Sequence, residues 1–518
     1  ALGPVSVLHL VQALALAGWS NPPRLWLVTR GAQVTDTGTE PVSIAQAPVW
    51  GMGRTIDHEY PELRCTRVDL SAGGGPEEFR ALFQEVWADD REVDVALRDH
   101  RRYVARLTRY EQVEPAETRA GSNAFRADAT YLITGGLGAL GRVVATWMAE
   151  QGARHLVLMG RGAAEASAQE TLDALRAAGT EVMVARGDVT RTDQVAAVLE
   201  SIGASMPPLR GVVHAAGTVD DAILQRLDER QLRDVMAPTV QGAWNLHTLT
   251  RDAELDFFVL FSSAASLLGS PGAANYAAAN AFLDALAWHR RAEGRPGLSI
   301  DWGPWAGLGF SARAQAHGHL TQHGVQALPA AECLRALTYL LPRSATQVAV
   351  LHVDWARWQS GLRPGTNPPL LADLQPKATQ DEMGDAPGPA SGIHDALHRA
   401  APQERQQLLE SYLGDLAADK LGLAPSNLDV QTPLNRLGAD SLITLELRLQ
   451  LERDLGIIVP VARLLDGPSV ASLSGWLNEQ LSDTGPAPAV VATPAPQTVT
   501  DVARSPEIDL LTQVPELS

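Results

Sequence analysis

A serine and a tyrosine in the middle of the sequence have the types and spacing needed to polarise and protonate a carbonyl oxygen. Ser263 follows an apolar run, and Tyr276 comes thirteen residues later, four residues before Asn280 on an alanine-rich segment predicted to be helical. The four-residue interval places Tyr276 and Asn280 on one helix face. Because a developing oxyanion needs positioned donors, the set predicts a carbonyl-reducing site. The alternative for Tyr276 taken alone is a place in the core.

A glycine-rich segment earlier in the sequence has the pattern of a dinucleotide-binding turn. Residues 130–141 read TYLITGGLGALG and lie between a β-rich run and a helical pattern. Gly136 is expected to permit the tight turn, Gly138 to let the backbone approach a pyrophosphate, and Gly141 to let the helix pack closely. Leu137 lies inside the same turn, and the following helix N-terminus would attract phosphate charge. The alternative is a tight turn without a ligand.

The residue after the next predicted strand bears on which dinucleotide is bound. Arg161 stands where enzymes that use NAD usually place an acid for the ribose 2′-hydroxyl. A guanidinium there would neutralise a 2′-phosphate, so the sequence predicts NADPH. A solvated loop arginine is the alternative.

Two further strand ends add candidate cofactor contacts. Asp188 and Val189 follow the third predicted strand, where the carboxylate could accept from the adenine amino group or lie in a solvated turn. Ala215, Ala216 and Gly217 follow the fourth strand, and their small size leaves room for the nicotinamide ribose.

Composition excludes several classes of function. The chain has 518 residues, of which 45% are apolar and 20% charged, an ordinary globular composition. A formal net charge of −18 argues against nucleic acid as a partner. Only two cysteines occur, so we expect no disulfide, no metal and a reducing, cytoplasmic location. The most apolar stretch, residues 5–19, is too short to span a bilayer, so no membrane association is expected.

Alternating strand-like and helix-like runs restart near residue 120, which predicts two α/β halves. We assign residues 1–120 to a cofactor-free structural half and 121–360 to a dinucleotide-binding half. A linker is expected at 361–393, a small helical domain at 394–481, and a Pro/Ala-rich linker and tail at 482–518. The expected fold class is an α/β doubly wound Rossmann-type domain, preceded by a degenerate Rossmann-like subdomain and followed by a small all-α four-helix domain.

The ordered motifs between residues 130 and 305 resemble the short-chain dehydrogenase/reductase family, and specifically the ketoreductase domain of modular type I polyketide synthases. In chain order they are TGGLGALG, GR, GDV, HAAG, FSS, YAAAN and DWGPW. The first half resembles the structural subdomain of such ketoreductases, including VWGMGRTIDHEYPE at 49–62. The resemblance implies that NADPH delivers hydride to a β-carbonyl carbon, that Tyr276 protonates the forming alkoxide, and that Ser263 hydrogen-bonds the carbonyl oxygen.

One position departs from the family pattern. The family has a catalytic lysine in the segment that here reads APTVQGAWNL, and the lysine position is occupied by Thr239. No lysine precedes Lys377, so none within this domain can replace it. Threonine has no charge to lower the pKa of Tyr276, a phenol whose ordinary pKa is ~10. Two hypotheses stay open: slow reduction through Tyr276 and Ser263, or a redox-silent scaffold that leaves the β-keto group unreduced.

The family's stereochemical markers can be read in the same way. Val219, Asp220 and Asp221 match an LDD-like motif, and the position eight residues before Tyr276 is Leu268 rather than tryptophan. This pattern resembles B-type ketoreductases, which form the D-configured alcohol. No proline follows two residues after Tyr276, which resembles the subtype that does not epimerise an α-substituent. The alternative is that both aspartates are solvated loop acids.

A second resemblance covers the small C-terminal domain. The loop LGADSL, residues 437–442, precedes leucines at helical spacing. Taken alone, such a loop is an ordinary helix N-cap. In this context it resembles acyl carrier proteins, whose serine, here Ser441, carries 4′-phosphopantetheine. Residues 401–485 hold 12 acidic and 6 basic side chains, and acidic helices suit basic partner surfaces.

Together the two resemblances imply the C-terminal part of a polyketide synthase module of secondary metabolism. The implied substrate is a β-ketoacyl thioester on the carrier. The implied partners are a ketosynthase, an acyltransferase, an optional dehydratase and a phosphopantetheinyl transferase. A free-standing alcohol dehydrogenase with a regulatory domain is a further alternative, and it predicts activity on small carbonyls without modification of Ser441.

Overall fold

The computed structural model describes residues 2–17, 19, 22–35, 42–88, 90–110, 125–309, 324–354, 357–358, 368–374, 393, 396–397, 399–439, 441–457, 459–460, 463–464 and 467–483. Within these residues the chain forms two α/β units and a small helical domain. The expected fold class is thereby confirmed.

The first unit is a four-stranded sheet with flanking helices. Its strands are β1 Trp26–Arg30, β2 Thr66–Leu70, β3 Asp94–Arg98 and β4 Arg101–Val104, and its helices are α1 Leu2–Leu16, α2 Pro48–Glu59, a 3-10 helix Pro61–Leu63 and α3 Pro76–Trp87. Strands β1 to β3 are parallel, and β4 returns antiparallel to β3. Every residue of β2 and β3 is buried, as expected for central strands with both faces covered.

The second unit is built on seven parallel strands. They are β5 Thr130–Thr134, β6 His155–Gly160, β7 Glu181–Arg186, β8 Leu209–His214, β9 Phe257–Ser263, β10 Leu298–Trp302 and β12 Gln347–Val350. Their order across the sheet is β12-β10-β9-β8-β5-β6-β7. The strands β11 Val325–Gln326 and β13 His352–Val353 pair separately as a short antiparallel ribbon.

Helices cover both faces of the second sheet. They are α4 Ala139–Glu150, α5 Ala166–Ala177, α6 Thr192–Ser205, α7 Glu229–Met236, a π-helix Ala237–Gln241, α8 Gly242–Leu249, α9 Ala265–Leu268, α10 Ala274–Ala292 and α11 Ala330–Leu340. The chain runs outward from β5 to β7 and then restarts on the other side of β5 at β8. The strand order therefore reverses between β5 and β8, which is the point where doubly wound sheets bind ligands.

The two α/β units join through a close contact between α2 and α10. Gly51 of α2 faces the backbone of Ala277 and Ala278, and a Cβ atom at Gly51 would overlap the Ala277 carbonyl oxygen. Alanines line the opposing face of α10, so both helices present almost bare backbone. The sequence motifs VWGMG and YAAAN thus meet in space.

The small C-terminal domain is helical throughout its described part. Its α-helices are α12 Pro402–Leu421, α13 Ser441–Leu455 and α14 Val470–Asp483, with 3-10 helices at Pro425–Asn427 and Leu434–Leu437. Leucines from all three α-helices form its core, including Leu409, Leu413, Leu451 and Leu477. Gly422 ends α12 in the left-handed region with φ of 65°, which glycine adopts without a steric penalty.

Part of the expected linker is folded. Pro369–Leu374 forms a 3-10 helix in which Leu371 and Leu374 are buried, and the Leu107 amide donates to the Leu370 carbonyl at 2.7 Å. The apolar PLLADL segment packs because extended solvation would expose its leucines. Residues 375–392 and the tail from 484 onward lie outside the described residues. None of the described helices combines the length and hydropathy of a membrane-spanning segment.

Replacing Gly51 should weaken the contact between the two units. Gly51→Ala is expected to destabilise the chain by about 1–3 kcal/mol and lower its Tm, because the methyl group would overlap the α10 backbone. Thermal denaturation followed by circular dichroism measures the shift. Gly203→Ala in α6 is the matched control, since its Cβ would meet no atom within 4 Å. The control should leave or raise the Tm, and equal shifts in both variants would contradict the prediction.

Candidate active site

The predicted site residues gather at the carboxyl edge of the second sheet. The glycine turn follows β5, residues 215–217 follow β8, and Ser263 ends β9. Because β5, β8 and β9 are parallel neighbours, these three strand ends lie side by side at the switch point.

Ser263, Tyr276 and Asn280 come together at this edge. The side chains of Ser263 and Asn280 lie near enough to the Tyr276 hydroxyl to lower its pKa as hydrogen-bond donors. The buried Asn280 also donates its amide to the Tyr276 carbonyl at 2.8 Å, and the Ser262 hydroxyl donates to the Asn280 carbonyl at 3.3 Å. Tyr276 itself is half-buried rather than lost in the core. Two hydroxyl groups can therefore meet one carbonyl oxygen here.

The surroundings of Tyr276 hold its proton firmly. Burial raises the pKa of Tyr276, and the Asp221 carboxylate raises it further, whereas the hydrogen bonds with Ser263 and Asn280 lower it. The net direction is upward, so the neutral phenol is the stable form at neutral pH. Transfer of the phenolic proton leaves an anion that this environment disfavours.

Thr239 lies in an irregular turn beside the site. It is buried within the π-helix Ala237–Gln241, which packs against α10. Its carbonyl accepts from His214 Nε2 at 3.3 Å, and His214 Nδ1 accepts from the Thr134 hydroxyl at 2.7 Å. Burial lowers the pKa of His214 to about 4, so this ring is neutral at pH 7 and supplies no positive charge.

The glycine turn departs in one detail from the expected roles. The positive φ of 68° is at Gly135, whose Cβ would come within 2.7 Å of the Ala215 carbonyl oxygen. The sequence analysis gave the tight turn to Gly136. In the structure Gly136 packs against β6, where a Cβ atom on this residue would be 2.9 Å from Leu158. The left-handed residue of the turn is therefore Gly135, while a Cβ at Gly136 would come within 2.8 Å of the Ile133 carbonyl oxygen, so the role predicted for Gly136 stays a prediction.

The other two glycines of the motif lie close to the Gly135 carbonyl. Gly138 precedes the first residue of α4, and a Cβ there would meet only the Gly135 carbonyl, at 3.2 Å. A Cβ at Gly141 would overlap that same carbonyl, so this glycine lets α4 pack onto the turn. Leu137 lies over Gly160 at the end of β6, and a Cβ atom on Gly160 would be 3.2 Å from the Leu137 side chain.

Arg161 and Asp188 occupy the two outer strand ends. Arg161 follows β6 and is exposed, and its carbonyl accepts from Arg186 at 3.3 Å. The Asp188 carboxylate accepts from the Thr190 amide at 2.9 Å and hydroxyl at 2.8 Å. Asp188 therefore shapes its own turn, and its second oxygen is the one left for a ligand.

Val189 and the residues after β8 line the inner part of the same edge. Val189 is buried against Gly242, and a Cβ atom on Gly242 would be 2.7 Å from the Val189 side chain. The Val189 carbonyl accepts from the Asn245 amide at 2.9 Å. Ala215 and Ala216 are partly exposed and back the glycine turn, while Gly217 is exposed beyond them.

Side chains of α2 hold the loop between Ser263 and Tyr276, a role that the sequence did not reveal. Arg54 donates to the Ser266 carbonyl at 2.5 Å, and His58 Nε2 donates to the Leu268 carbonyl at 2.7 Å. The motif VWGMGRTIDHEYPE contained these residues, but nothing local indicated that their partners lie more than two hundred residues away.

Glu59 completes this support from α2. Its carboxylate accepts from the Leu224 amide at 2.7 Å and from the Gly272 amide at 2.8 Å. These two amides belong to the loops that carry Asp221 and lead into Tyr276. Burial raises the pKa of Glu59 to about 7, and the two amide donors oppose that rise by favouring the carboxylate. One buried carboxyl group thus joins both walls of the site.

A pair of carboxyl groups lies beneath the site. Asp301 of β10 is fully buried beside Asp284 of α10, and Gln347 donates to Asp301 at 3.0 Å. Burial first, and then the neighbouring Asp284, raise the pKa of Asp301 well above its ordinary value. The Ser299 hydroxyl donates to Asp284 at 2.7 Å. The raised pKa of Asp301 reduces the like-charge repulsion that two neighbouring carboxylates would have in the core.

One group with metal-ligand chemistry occurs away from the site. His247, His289 and Glu293 bring their ligand atoms within 4.8 Å of one another, which the sequence did not indicate. Arg251 pairs with Glu293 at 3.2 Å, and Arg290 lies 3.1 Å from His247. Burial first, and then the Arg290 guanidinium, lower the pKa of His247 to about 4, and the same positive charge disfavours a metal ion.

The helical domain places Ser441 at a helix start. Ser441 is the first residue of α13, and Asp440 before it lies outside the described residues. Gly438 precedes them with φ of 102°. A helix N-terminus favours an attached phosphodiester, because the helix dipole is positive there.

The fold and the site define a class of protein. A doubly wound parallel sheet with a glycine turn at its switch point, and a serine and a tyrosine brought together near the end of a neighbouring strand, is typical of dinucleotide-dependent reductases. Residues 129–307 match the family model of the KR domain, and residues 411–477 match that of the phosphopantetheine attachment site. Residues 4–107 match the Rossmann fold domain of the polyketide synthase extender module SpnB.

Curated relatives are large polyketide synthases. Erythronolide synthase EryA3 from Saccharopolyspora erythraea is 38% identical over 488 residues, which cover 94% of this chain and 14% of that protein. The 6-methylsalicylic acid synthase of Aspergillus terreus is 34% identical over 500 residues, covering 92% of this chain and 27% of that protein. The chain thus spans only a minor part of the relatives it matches.

Solved ketoreductase structures match the α/β part. An A-type ketoreductase from a modular polyketide synthase is 35% identical with a TM-score of 0.67, over 72% of this chain and 78% of that one. The ketoreductase from the first module of phoslactomycin biosynthesis in Streptomyces sp. HK803 is 32% identical with a TM-score of 0.64, over 73% and 87%. The chain belongs to the modular polyketide synthases, of which it comprises a ketoreductase and a phosphopantetheine carrier domain.

The buried carboxyl pair should make stability depend on pH. A raised pKa means that folded Asp301 keeps a proton that the unfolded chain releases above its ordinary pKa, so stability falls as pH rises from about 4 towards the folded pKa. Asp301→Asn removes this loss while keeping a neutral polar group. We expect the Tm of the variant minus that of the native chain to grow by several degrees between pH 5 and pH 8.

The control for this prediction is the exposed Asp173, which pairs with Arg176 on the surface. Asp173→Asn should shift the Tm equally at both pH values. A difference for Asp301→Asn that does not change with pH would show that the pair is ionised in the folded chain.

Proposed function

We propose that this chain reduces a carrier-bound β-ketoacyl thioester to a β-hydroxyacyl thioester with NADPH. The observation that carries the proposal is the convergence of the Ser263 and Tyr276 hydroxyls beside the glycine turn. Ser263 would hold the ketone oxygen, and Tyr276 would donate its phenolic proton to the oxygen as the C–O double bond becomes an alkoxide. A proton from solvent then restores the phenol.

The glycine turn supports a bound dinucleotide. Gly135, Gly136 and Gly141 leave spaces that any side chain would fill, and they bring bare backbone to the N-terminus of α4. When bound, NADPH would supply the hydride that attacks the ketone carbon. Arg161 would pair with the 2′-phosphate, because its side chain is exposed at the end of β6. Asp188 would accept from the adenine.

Thr239 favours a second candidate function, a redox-silent reductase fold that only positions the carrier. Burial and Asp221 raise the pKa of Tyr276, and the chain has no lysine before Lys377, so neither α/β unit supplies an ammonium group to offset them. Threonine at this buried position stabilises neither a tyrosinate nor a ribose hydroxyl by charge. Under this alternative the β-keto group passes through the module unreduced.

The configuration of the product follows from two positions in the proposal. Asp221 lies close enough to Tyr276 to raise its pKa, and Leu268 stands at the sequence position where the other type has tryptophan. We propose B-type reduction to the D-configured alcohol without epimerisation. One solved relative is an A-type ketoreductase, but we do not transfer that stereochemical type to this chain.

Ser441 is the proposed attachment residue for phosphopantetheine in the carrier domain. We propose domain boundaries at 1–120, 121–360, 394–481 and the intervening linkers. The partners are then a phosphopantetheinyl transferase and the ketosynthase, acyltransferase and optional dehydratase of the same synthase.

Two free, buried cysteines are compatible with work in a reducing compartment, for which we propose the cytoplasm.

Exchanging Thr239 separates the two candidate functions. With a diffusible β-ketoacyl thioester mimic, we expect slow NADPH consumption by the native chain, at least ~10-fold faster consumption by Thr239→Lys, and none by Tyr276→Phe. Thr239→Met is the matched control, because it has similar length without charge, and it should not accelerate turnover. Chiral chromatography of the same reaction should show the D alcohol.

The alternative predicts a different pattern in this assay. No native turnover despite NADPH binding, with rescue by Thr239→Lys, would establish Thr239 as a natural off-switch. Turnover that persists in Tyr276→Phe would contradict the assigned proton donor.

Phosphopantetheine transfer tests the carrier assignment directly. Incubation with coenzyme A and a phosphopantetheinyl transferase should add one phosphopantetheine mass to the native chain and none to Ser441→Ala. Ser426→Ala, an exposed serine of the same domain, should be modified like the native chain. Intact-protein mass spectrometry gives the result, and modification of Ser441→Ala would place the arm elsewhere.

A further inference from the structure

Helix α13 of the carrier domain has two apolar faces. Leu447 and Leu451 lie in the core of the carrier itself. Leu445 is instead buried in the cluster formed by α1, α2 and residues 222–232 of the reductase, and Leu449 packs against the same cluster. The carrier therefore touches the reductase with the helix that begins at Ser441.

Arg448, between these two leucines, is fully buried at the contact. Its Nε donates to Glu452 at 2.9 Å, its Nη2 donates to Glu62 at 2.9 Å, and its Nη1 donates to the Glu59 carbonyl. Glu452 belongs to the carrier and also accepts from the Val459 amide at 3.0 Å, which fixes it in place. The guanidinium is thus held by the carrier on one edge and by the reductase on the other.

The polarity of this contact is opposite to the sequence-based expectation. The carrier is acidic overall, which predicted basic partner surfaces, yet here its Arg448 meets Glu62 and a carbonyl of the reductase. A buried cation needs such partners, because an unpaired charge in the interior is strongly unfavourable. When the carrier separates from the reductase, water would solvate the Nη atoms of Arg448. The contact can therefore form and break repeatedly.

We propose that this contact is the docking position from which the carrier presents its acyl chain to the reductase, with Arg448 as the anchor and Leu445 and Leu449 as its apolar contact. The inference rests on the proposed function, because it takes Ser441 as the residue that carries the substrate of Tyr276. Ser441 precedes Arg448 by seven residues, or about 10 Å along the helix.

The anchor also lies next to the support of the active site. The Glu59 carbonyl accepts from Arg448, while the Glu59 carboxylate holds Leu224 and Gly272. Docking therefore engages the residue that joins both walls of the site. A carrier docked here is linked through Glu59 to the loop that contains Leu224 and to the loop that leads from Gly272 into Tyr276.

Charge reversal on either side tests the docking position in the full chain. The variants are Arg448→Glu, Glu62→Arg and the two combined. Arg453→Glu is the matched control, since Arg453 lies on the same helix beside Tyr412 of the carrier. The first readout is amide hydrogen exchange at residues 59–63 and 222–232, measured without substrate.

The second readout is single-turnover reduction of a β-ketoacyl group loaded on Ser441, compared with reduction of the diffusible mimic. It is measured in the native chain and in the Thr239→Lys chain. We expect each single reversal to speed exchange and to slow reduction of the loaded group at least about tenfold, while reduction of the mimic is unchanged. The combined reversal should recover part of both readouts, because it restores an ion pair between positions 448 and 62 but leaves an acid at 448 beside Glu452. Arg453→Glu should alter neither readout.

Two results would overturn the docking position. One is unchanged exchange in Arg448→Glu, and the other is equal slowing of the loaded group and the mimic. Failure of the proposed function appears differently: neither substrate is reduced even with Thr239→Lys, while exchange still responds to Arg448. That outcome would remove the reductive role and leave only the contact.

Discussion

The close approach of α2 to α10 is the contact on which the rest of the structure depends. Gly51 permits it by leaving the α10 backbone free, and the side chains that follow along α2 then reach the loop before Tyr276. Arg54, His58 and Glu59 bind backbone groups of that loop, so its path is fixed from outside the second sheet. The first α/β unit, which has no glycine turn, thereby positions the loop between Ser263 and Tyr276 in the second unit.

The chemistry at the sheet edge is limited by charge rather than by geometry. In the proposed function Ser263, Tyr276 and Asn280 handle a carbonyl oxygen, but the charged group that affects the pKa of Tyr276 is the acid Asp221, which raises it. Below them, burial and the neighbouring Asp284 raise the pKa of Asp301. The site is well formed for positioning a phenolic proton and poorly formed for stabilising the phenolate that its transfer would leave. Thr239 is the position at which this balance would change.

The sequence was informative where a function depends on neighbours in the chain. The glycine turn and the Ser263, Tyr276 and Asn280 set could be placed because strand ends and helix spacing are local properties. The bend at Gly135 could not, because it depends on how closely Ala215 of a different strand end approaches. Glu59 and Arg448 were missed because their partners are distant in sequence, and the polarity of the carrier contact was missed because net charge does not describe a single buried residue.

The hydrogen bonds of α2 have a consequence for recombining synthase modules. A reductase segment cut near residue 125 would retain every residue of the glycine turn and of the Ser263, Tyr276 and Asn280 set. It would nevertheless leave the carbonyls of Ser266 and Leu268 and the amide of Gly272 without the groups that bind them. The smallest exchangeable piece of this chain is therefore the pair of α/β units together, and a transplanted catalytic half would need a host α2 with matching side chains.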